Sequence, residues 1–561
     1  MAEKIEIFCV NLGRHISVEG GASLMQIADG IASELSFEPI GARVNNKAED
    51  LSYAVFAPKH IEFVGLDSAL GRRIYTRSLC MMLYRAASLE IEGSTLKIEH
   101  SISNGHFCRL SASQDSELVE ITPELLERIS NRLRGMHKDN IPFRRHQQVT
   151  SEVKALFKRE GLEEKVVLLD TTSEFYTTYY TLLDTADSYY GPLAPSTRFI
   201  GVFALHPYHD GFLLMGPDPK DLSKPLTPKP QEKLYKAFTD YLKFNRVIRV
   251  STVGDLNKAV KARKTPDLIN VAEAMHDKYL GRISDEIARR NSEGSARIVL
   301  LAGPSSSGKT TTNKRLAIQL MTNLLIPRLI SMDDYFIDRE HTPRDESGDY
   351  DFEHLHALDL DRFNSDLQRL LAGETINLPT YSFELGRRIE KERPLSLGPK
   401  DVLLIEGIHG LNPELTYTLP SDQVFKIYVS ALTTLTIDDH NWISTNDNRL
   451  LRRIVRDYKY RHISALETLR RWPSVQRGEQ RWIFPFQENA DALFNSSLIF
   501  EIGAMKLYAE PLLRSVPHDA VQYAEAYRLL KLLSYFLPIG AEQIPTTSLL
   551  REFLGGSSFR Y

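Results

Sequence analysis

Cysteine is scarce: Cys9, Cys80 and Cys108 are the only three in 561 residues. They form no C-x-x-C pair and no close cluster with histidine, which excludes a disulfide framework and a cysteine-rich zinc site and fits a reducing compartment. Long hydrophobic runs are missing too. The most apolar stretches, Val299 to Ala302 and Val402 to Ile405, are strand-length, whereas a membrane-crossing helix needs about 20 residues. Neither sign of charge dominates, since 69 Lys and Arg against 73 Asp and Glu leave a formal net charge of −4. A general electrostatic grip on nucleic acid is therefore not expected, and any RNA contact must be local. No basic and apolar leader precedes the strand-like Ile5 to Val10. A soluble, cytoplasmic protein is the expectation, without repeats or low-complexity tracts.

What is present is 42% hydrophobic and 25% charged residues, the balance of folded globular chains. At about 150 residues per domain, such a chain should hold roughly three or four modules. Residues 1–65 alternate short apolar strands with one amphipathic stretch, Ser23 to Leu35, where Leu24, Ile27, Ala28 and Ile31 recur at helical spacing, so a small α+β domain is expected. Residues 66–245 carry several strands and helices, a second α+β domain. Residues 246–294 read as a helical connector, with Lys258, Lys261, Arg263 and Lys264 on a solvated basic face. Residues 295–515 alternate strands and helices as an α/β domain does. A helical tail, 516–561, carries the apolar series Leu529, Leu530, Leu532, Leu533 and Phe536, suited to packing back on that domain or building an interface.

The most informative segment is the strand-like Ile298 to Ala302, then Gly303, Pro304, Ser305, Ser306, Ser307, Gly308, Lys309 and Thr310, then Thr311 and a helical run through Leu316 and Leu320. Strand, glycine loop and helix with the full G-x-x-x-x-G-K-[ST] spacing let successive N–H groups and the helix N-terminus face a phosphate. Lys309 is expected to bridge the β- and γ-phosphates of ATP, with GTP as an alternative nucleotide, and Thr310 to offer its hydroxyl to Mg²⁺. A second strand, Arg328 to Met332, ends in Asp333 and Asp334, at the edge where doubly wound sheets place ligands. Asp333 there can take the proton of an attacking hydroxyl and hold the metal through water. A third strand, Asp401 to Ile405, ends in Glu406, the usual place for a carboxylate that orients Mg²⁺. His409 reads as a loop histidine. Arg449 to Arg461 is helical and densely basic, as a lid bringing arginines onto a transferring phosphate would be.

With these residues in place, residues 296–515 resemble the uridine kinase and phosphoribulokinase family, through the phosphate loop, Asp333, Pro379-Thr380-Tyr381 with Phe383, Ile405 to Ile408, and Arg452 to Asp457. The resemblance implies a parallel sheet flanked by helices, Asp333 as general base, and Thr310, Glu406 and Asp333 at the metal. It implies Arg453, Arg456 and Arg461 on the phosphate or acceptor side, with Lys309, Arg456 and Arg461 acting in catalysis beside Asp333. Tyr381 and Phe383 would line the acceptor pocket, and Glu353 would grip the ribose hydroxyls. The acceptor implied is a small molecule, a nucleoside, and a dimer or tetramer is implied as well. The pattern departs where the family reads its base: Gly386 stands in place of a pocket histidine, and Ile463 and Arg471 in place of an arginine and a glutamine. Arg387, Arg388 and Arg471 would suit an acceptor that already carries negative charge. Residues 1–65 are similar to the TGS domain of threonyl-tRNA synthetases. Residues 66–245 resemble the second additional, editing domain of those enzymes, although Arg77, Met81, Tyr189 and Leu193 replace its four metal and editing groups. That company leaves RNA contact open and supplies the alternative function, a nucleotide-switched RNA- or ribosome-binding protein.

Overall fold

Alternating side chains bury Ile7 and Cys9 on one face of the first strand, Lys4–Cys9, as half-buried strands do. In the computed structural model, which describes residues 3–113, 117–345, 348–389 and 391–560, this strand sits in a five-stranded sheet. The spatial order is Arg14–Glu19, Lys4–Cys9, His60–Val64, Gly41–Val44 and Lys47–Glu49. One helix, Leu24–Gly30, covers it, opened by a capping box between Ser23 and Gln26. It is shorter than the expected Ser23 to Leu35, because the chain leaves the α conformation after Gly30 and makes a 3-10 turn at Ala32–Glu34.

The second module is a four-stranded antiparallel sheet, ordered Ala204–Tyr208, Gly211–Met215, Gly105–Ser111 and Thr95–Ile102, packed by helices Ala69–Glu90 and Pro123–Asp139. A three-stranded sheet, Arg144–Val149, Tyr176–Leu182 and Thr185–Asp187, stands beside it. Met81, Tyr189 and Leu193 are buried in one apolar cluster. Arg77 Nε donates to Pro192 O at 3.2 Å and Ala194 N to Ser78 Oγ at 2.8 Å, so the helix and the segment around Gly191 lie against each other. Among the described residues, no group of three or more His, Cys, Asp or Glu side chains could hold a metal ion. No helix among them is long and apolar enough to cross a membrane.

Helices Glu232–Val247, Val253–Lys261 and Thr265–Ser292 lead into the C-terminal half. Leu256, Leu268, Leu280 and Ile283 join its core, while Lys258, Arg263 and Lys264 stay exposed. That half is built on an all-parallel sheet ordered Ile326–Ser331, Asp401–Gly407, Ile298–Ala302, Val424–Ser430 and Ala492–Asn495. Every residue of Ile298–Ala302 is buried, which is why the strand reads as a continuous apolar run. The chain order reverses around this central strand, and the crevice at the strands' C-terminal ends is where such sheets hold ligands.

The two halves are locked by a short hairpin, Thr436–Asp438 with Asn441–Trp442. Lys165 Nζ stands 2.9 Å from both Asp187 and Asp438, and His440 Nδ1 lies 2.8 Å from Asp187. Burial alone would raise the Asp187 carboxyl, but Lys165 and His440 hold it well below the usual carboxylate range. The hairpin runs directly into the basic helix, Thr445–Arg461. Beyond helices Glu501–Arg514 and Tyr523–Ser534, the chain packs back onto the same core, burying Leu549, Leu550, Phe553 and Leu554.

Candidate active site

The phosphate loop leaves the central strand under two backbone constraints. A Cβ on Gly303 would lie 2.0 Å from Val429 O, and Gly308 adopts φ +83°, so neither position tolerates a side chain. The helix Lys309–Thr322 starts immediately after. The loop carbonyls turn outward and are held from behind: Ser305 O accepts from Arg449 Nε at 2.9 Å, Ser306 O from Arg452 Nη1 at 3.4 Å, and Ser307 O from Ser496 Oγ. Ser305 N donates to Glu479 at 3.0 Å, and Lys309 Nζ rests on Pro304 O at 3.2 Å. The hydroxyls of Ser306 and Ser307 are buried without a partner among the described residues, a cost that a polar ligand would relieve.

Two strand ends bring carboxylates to this loop. Glu406, in register with Leu301, accepts from Thr310 Oγ1 at 3.0 Å. Burial raises its carboxyl to about 7 against the pull of Lys309. Asp333 opens a 3-10 turn, Met332–Tyr335, after the Ile326–Ser331 strand. Its surface is exposed to the cleft, yet enough protein surrounds it that desolvation lifts its proton affinity, opposed by Lys309 and Arg461. Burial lowers Lys309, and Glu406 and Asp333 work against that shift. Asp334 turns away to Arg393, at 2.9 Å. His409 is buried behind the cleft, where desolvation lowers it to about 3 and keeps it neutral. The Thr310 hydroxyl and the Glu406 carboxylate are hard oxygen donors suited to Mg²⁺. Two such groups leave most of its coordination to water and phosphate, its usual habit.

The basic helix divides its arginines. Arg449 and Arg452 are fully buried in ion pairs with Glu479 and Glu501, so this half of the run clamps the loop from behind and does not form a lid. Arg453, Arg456 and Arg461 instead share one carboxylate, Asp457, at 3.2, 2.9 and 3.5 Å. Their exposures of 13, 15 and 53% grade from the loop outward, and Arg453 Nη1 reaches Ser305 Oγ at 2.8 Å. Arg471 is not brought in: it is 60% exposed and pairs with Glu467 on its own helix.

Beyond Asp333, Phe383 meets Tyr381 and Phe336 edge to face at ring-centroid distances of 5.1 and 5.8 Å, and Tyr381 and Phe336 tilt against each other at 5.6 Å. The Tyr381 ring is buried and Phe383 is half open. Glu353 packs its stem against Gly478, and burial raises its carboxyl to about 7, with Arg453 opposing. A side chain at Gly386 would strike the Arg339 guanidinium, 2.8 Å from the position of its Cβ, so Arg339 occupies the space beside Gly386. Arg388 is tied into the fold through Asp359 and the carbonyls of Tyr335 and Phe336. Arg387 is exposed.

The family model for the phosphoribulokinase / uridine kinase family matches residues 298–498. A uridine kinase of Brevibacillus brevis is 30% identical over 201 residues, which span 36% of this chain and 85% of that one. The chain belongs to the phosphoribulokinase / uridine kinase family. A uridine kinase of Staphylococcus aureus is 29% identical over 197 residues, 35% of this chain and 86% of its own length. The solved structure of a possible uridine kinase from Bacillus stearothermophilus covers 38% of this chain and 99% of its own at 18% identity, with a TM-score of 0.25. The C-terminal half is thus a P-loop kinase domain of this family, and residues before 298 lie outside the match. Sequence reasoning passed over Glu479, Arg339 and Glu552, which reach the site from helix, turn and tail positions without a motif; each is one charge on an ordinary amphipathic segment.

Proposed function

We propose that this kinase domain moves the γ-phosphoryl group of ATP, with GTP as the alternative donor, onto a hydroxyl of a small acceptor, a nucleoside of the uridine or cytidine type being the class in view. The observation that carries the reading is the position of Asp333, in the turn that follows the Ile326–Ser331 strand, where burial raises its proton affinity and the charges of Lys309 and Arg461 oppose that rise. A raised pKa suits a general base, which must take a proton without being a strong acid. Asp333 accepts the acceptor's hydroxyl proton as its oxygen bonds to the γ-phosphorus and the bridging bond to the β-phosphate breaks, releasing the nucleoside diphosphate. Lys309, Arg453, Arg456 and Arg461 balance charge on the phosphoryl oxygens, and the loop N–H groups hold the β-phosphate. Thr310 and Glu406 would hold Mg²⁺, which supplies charge neutralisation on the polyphosphate. Glu353, Tyr381 and Phe383 orient the acceptor, and Arg339 in the space beside Gly386 favours acceptors with an electron-rich or anionic edge there.

The experiment is a pool of nucleosides, nucleotides and sugar alcohols incubated with Mg·ATP, with mass spectrometry for any species that gains one phosphate. Asp333→Asn should lower the turnover of that acceptor by about 10²- to 10⁴-fold while nucleotide binding is retained. Undiminished turnover would remove Asp333 from the base role. ATP consumed only when RNA is added, with no phosphorylated product, would replace the kinase reading by the nucleotide switch.

A further inference from the structure

The last turn of the chain reaches the start of the phosphate-loop helix. Glu552 Oε2 accepts from Thr311 Oγ1 at 2.6 Å and from Thr311 N at 3.3 Å. Thr311 follows Thr310 in the first turn of a helix of 14 residues, where unsatisfied N–H groups and the helix dipole favour an anion. Beside it, Leu549 packs on the loop itself, its carbons 2.7 to 3.0 Å from where a Cβ on Gly308 would stand. Phe553 lies under the Arg452 guanidinium at 5.1 Å, and Lys459 Nζ donates to Leu554 O at 2.5 Å.

We infer that Glu552 is a built-in competitor for the nucleotide: its carboxylate takes donors of Thr311 that a phosphate of the bound nucleotide would use, and nucleotide binds by expelling it. The physical reason is exclusion. Two anions cannot share the same N–H and hydroxyl, and a polyphosphate beside a retained carboxylate would be repelled across a few ångströms of low-dielectric surroundings. The anchor of the tail does not depend on this contact, because Lys459 Nζ also holds Leu554 O and Leu549, Leu550 and Phe553 are core residues. The Glu552 side chain can therefore turn out while its backbone stays. The kinase binds nucleotide more weakly than its phosphate loop alone would, and anything that draws the tail's carboxylate away activates it.

This inference rests on the nucleotide-binding reading above, and the test separates the two. A fluorescent ADP analogue is titrated into the full chain, into Glu552→Gln, which removes the charge, into Glu552→Ala, which removes the acceptor, and into Lys309→Ala as a control. Both Glu552 variants are expected to bind roughly tenfold tighter than the parent, the scale of one anion at a helix N-terminus, while Lys309→Ala binds far more weakly. If both Glu552 variants bind as the parent does or more weakly, while Lys309→Ala still loses binding, Glu552 is no competitor although the nucleotide site stands. If no form binds, both readings fall together.

Discussion

Two clusters of charge flank the short path from the Asn441–Trp442 strand into the Thr445–Arg461 helix, and they are finished to different degrees. At the junction of the halves, Lys165 is matched by Asp187 and Asp438, and His440 closes the set, with every side chain 3% exposed or less. In the cleft, three guanidinium groups divide one buried aspartate, two serine hydroxyls of the loop lack partners among the described residues, and burial raises both Glu353 and Glu406 to about 7. In the first cluster each charge meets its partner within the cluster. The second is incomplete in a pattern that a polyphosphate and a hydroxyl acceptor would complete, which is how a functional site differs from a structural one of equal charge.

The contrast can be broken at its closed end first. Lys165→Met leaves two carboxylates buried without their cation, and should cost about 3–5 kcal/mol in urea unfolding; a loss below 1 kcal/mol would mean that water enters the junction. Next, Arg456→Met takes one of three arginines from the cleft and should reduce turnover by about tenfold to a hundredfold with little change in unfolding midpoint. A parallel loss of stability would class Arg456 with Arg449 and Arg452.

A third test uses pH. Glu353 titrates near 7 in the folded chain against its ordinary 4.5, so between these values the folded state holds a proton that the unfolded state has released, and stability falls as pH rises. Glu353→Gln should therefore be more stable than the parent by about 1–2 kcal/mol at pH 8, after discounting its partly open surface, and equal to it near pH 4.5. Equal stability at both pH values would show that Glu353 is solvated. The gain should accompany weaker acceptor binding, the usual exchange between a strained site and stability. The smallest effect belongs to Arg471→Ala: its exposed pair with Glu467 should change stability by less than about 0.5 kcal/mol and leave the acceptor KM unmoved. A raised KM would bring Arg471 into the pocket.

Legibility followed the same division. Ile298 to Thr311 could be read because strand, loop and helix are contiguous and each residue type answers a local need. Asp333 and Glu406 could be read because an acid at the C-terminal end of a strand in a parallel sheet lies at the crevice. The arginines of the basic helix could not be sorted in this way. Arg452 and Arg456 stand one turn apart on the same helical face, and only the arrival of Glu501 from another helix buries the first and leaves the second to the cleft. Glu552 was equally invisible, since it meets Thr311 across 241 residues of chain.

By itself the sequence determined a phosphate loop at the head of a parallel α/β domain, two strand-end carboxylates and a densely basic helix, since each is set by local spacing or by a strand's burial. Tertiary structure alone decided which arginines are clamps and which face the cleft, that Arg339 occupies the space beside Gly386, that the hairpin after Val424–Ser430 is locked to the N-terminal half, and that the tail's carboxylate lies on the phosphate-loop helix. Those outcomes depend on which charge meets which across long sequence separations, and in a folded chain the partner, more than the residue, determines what a charge does.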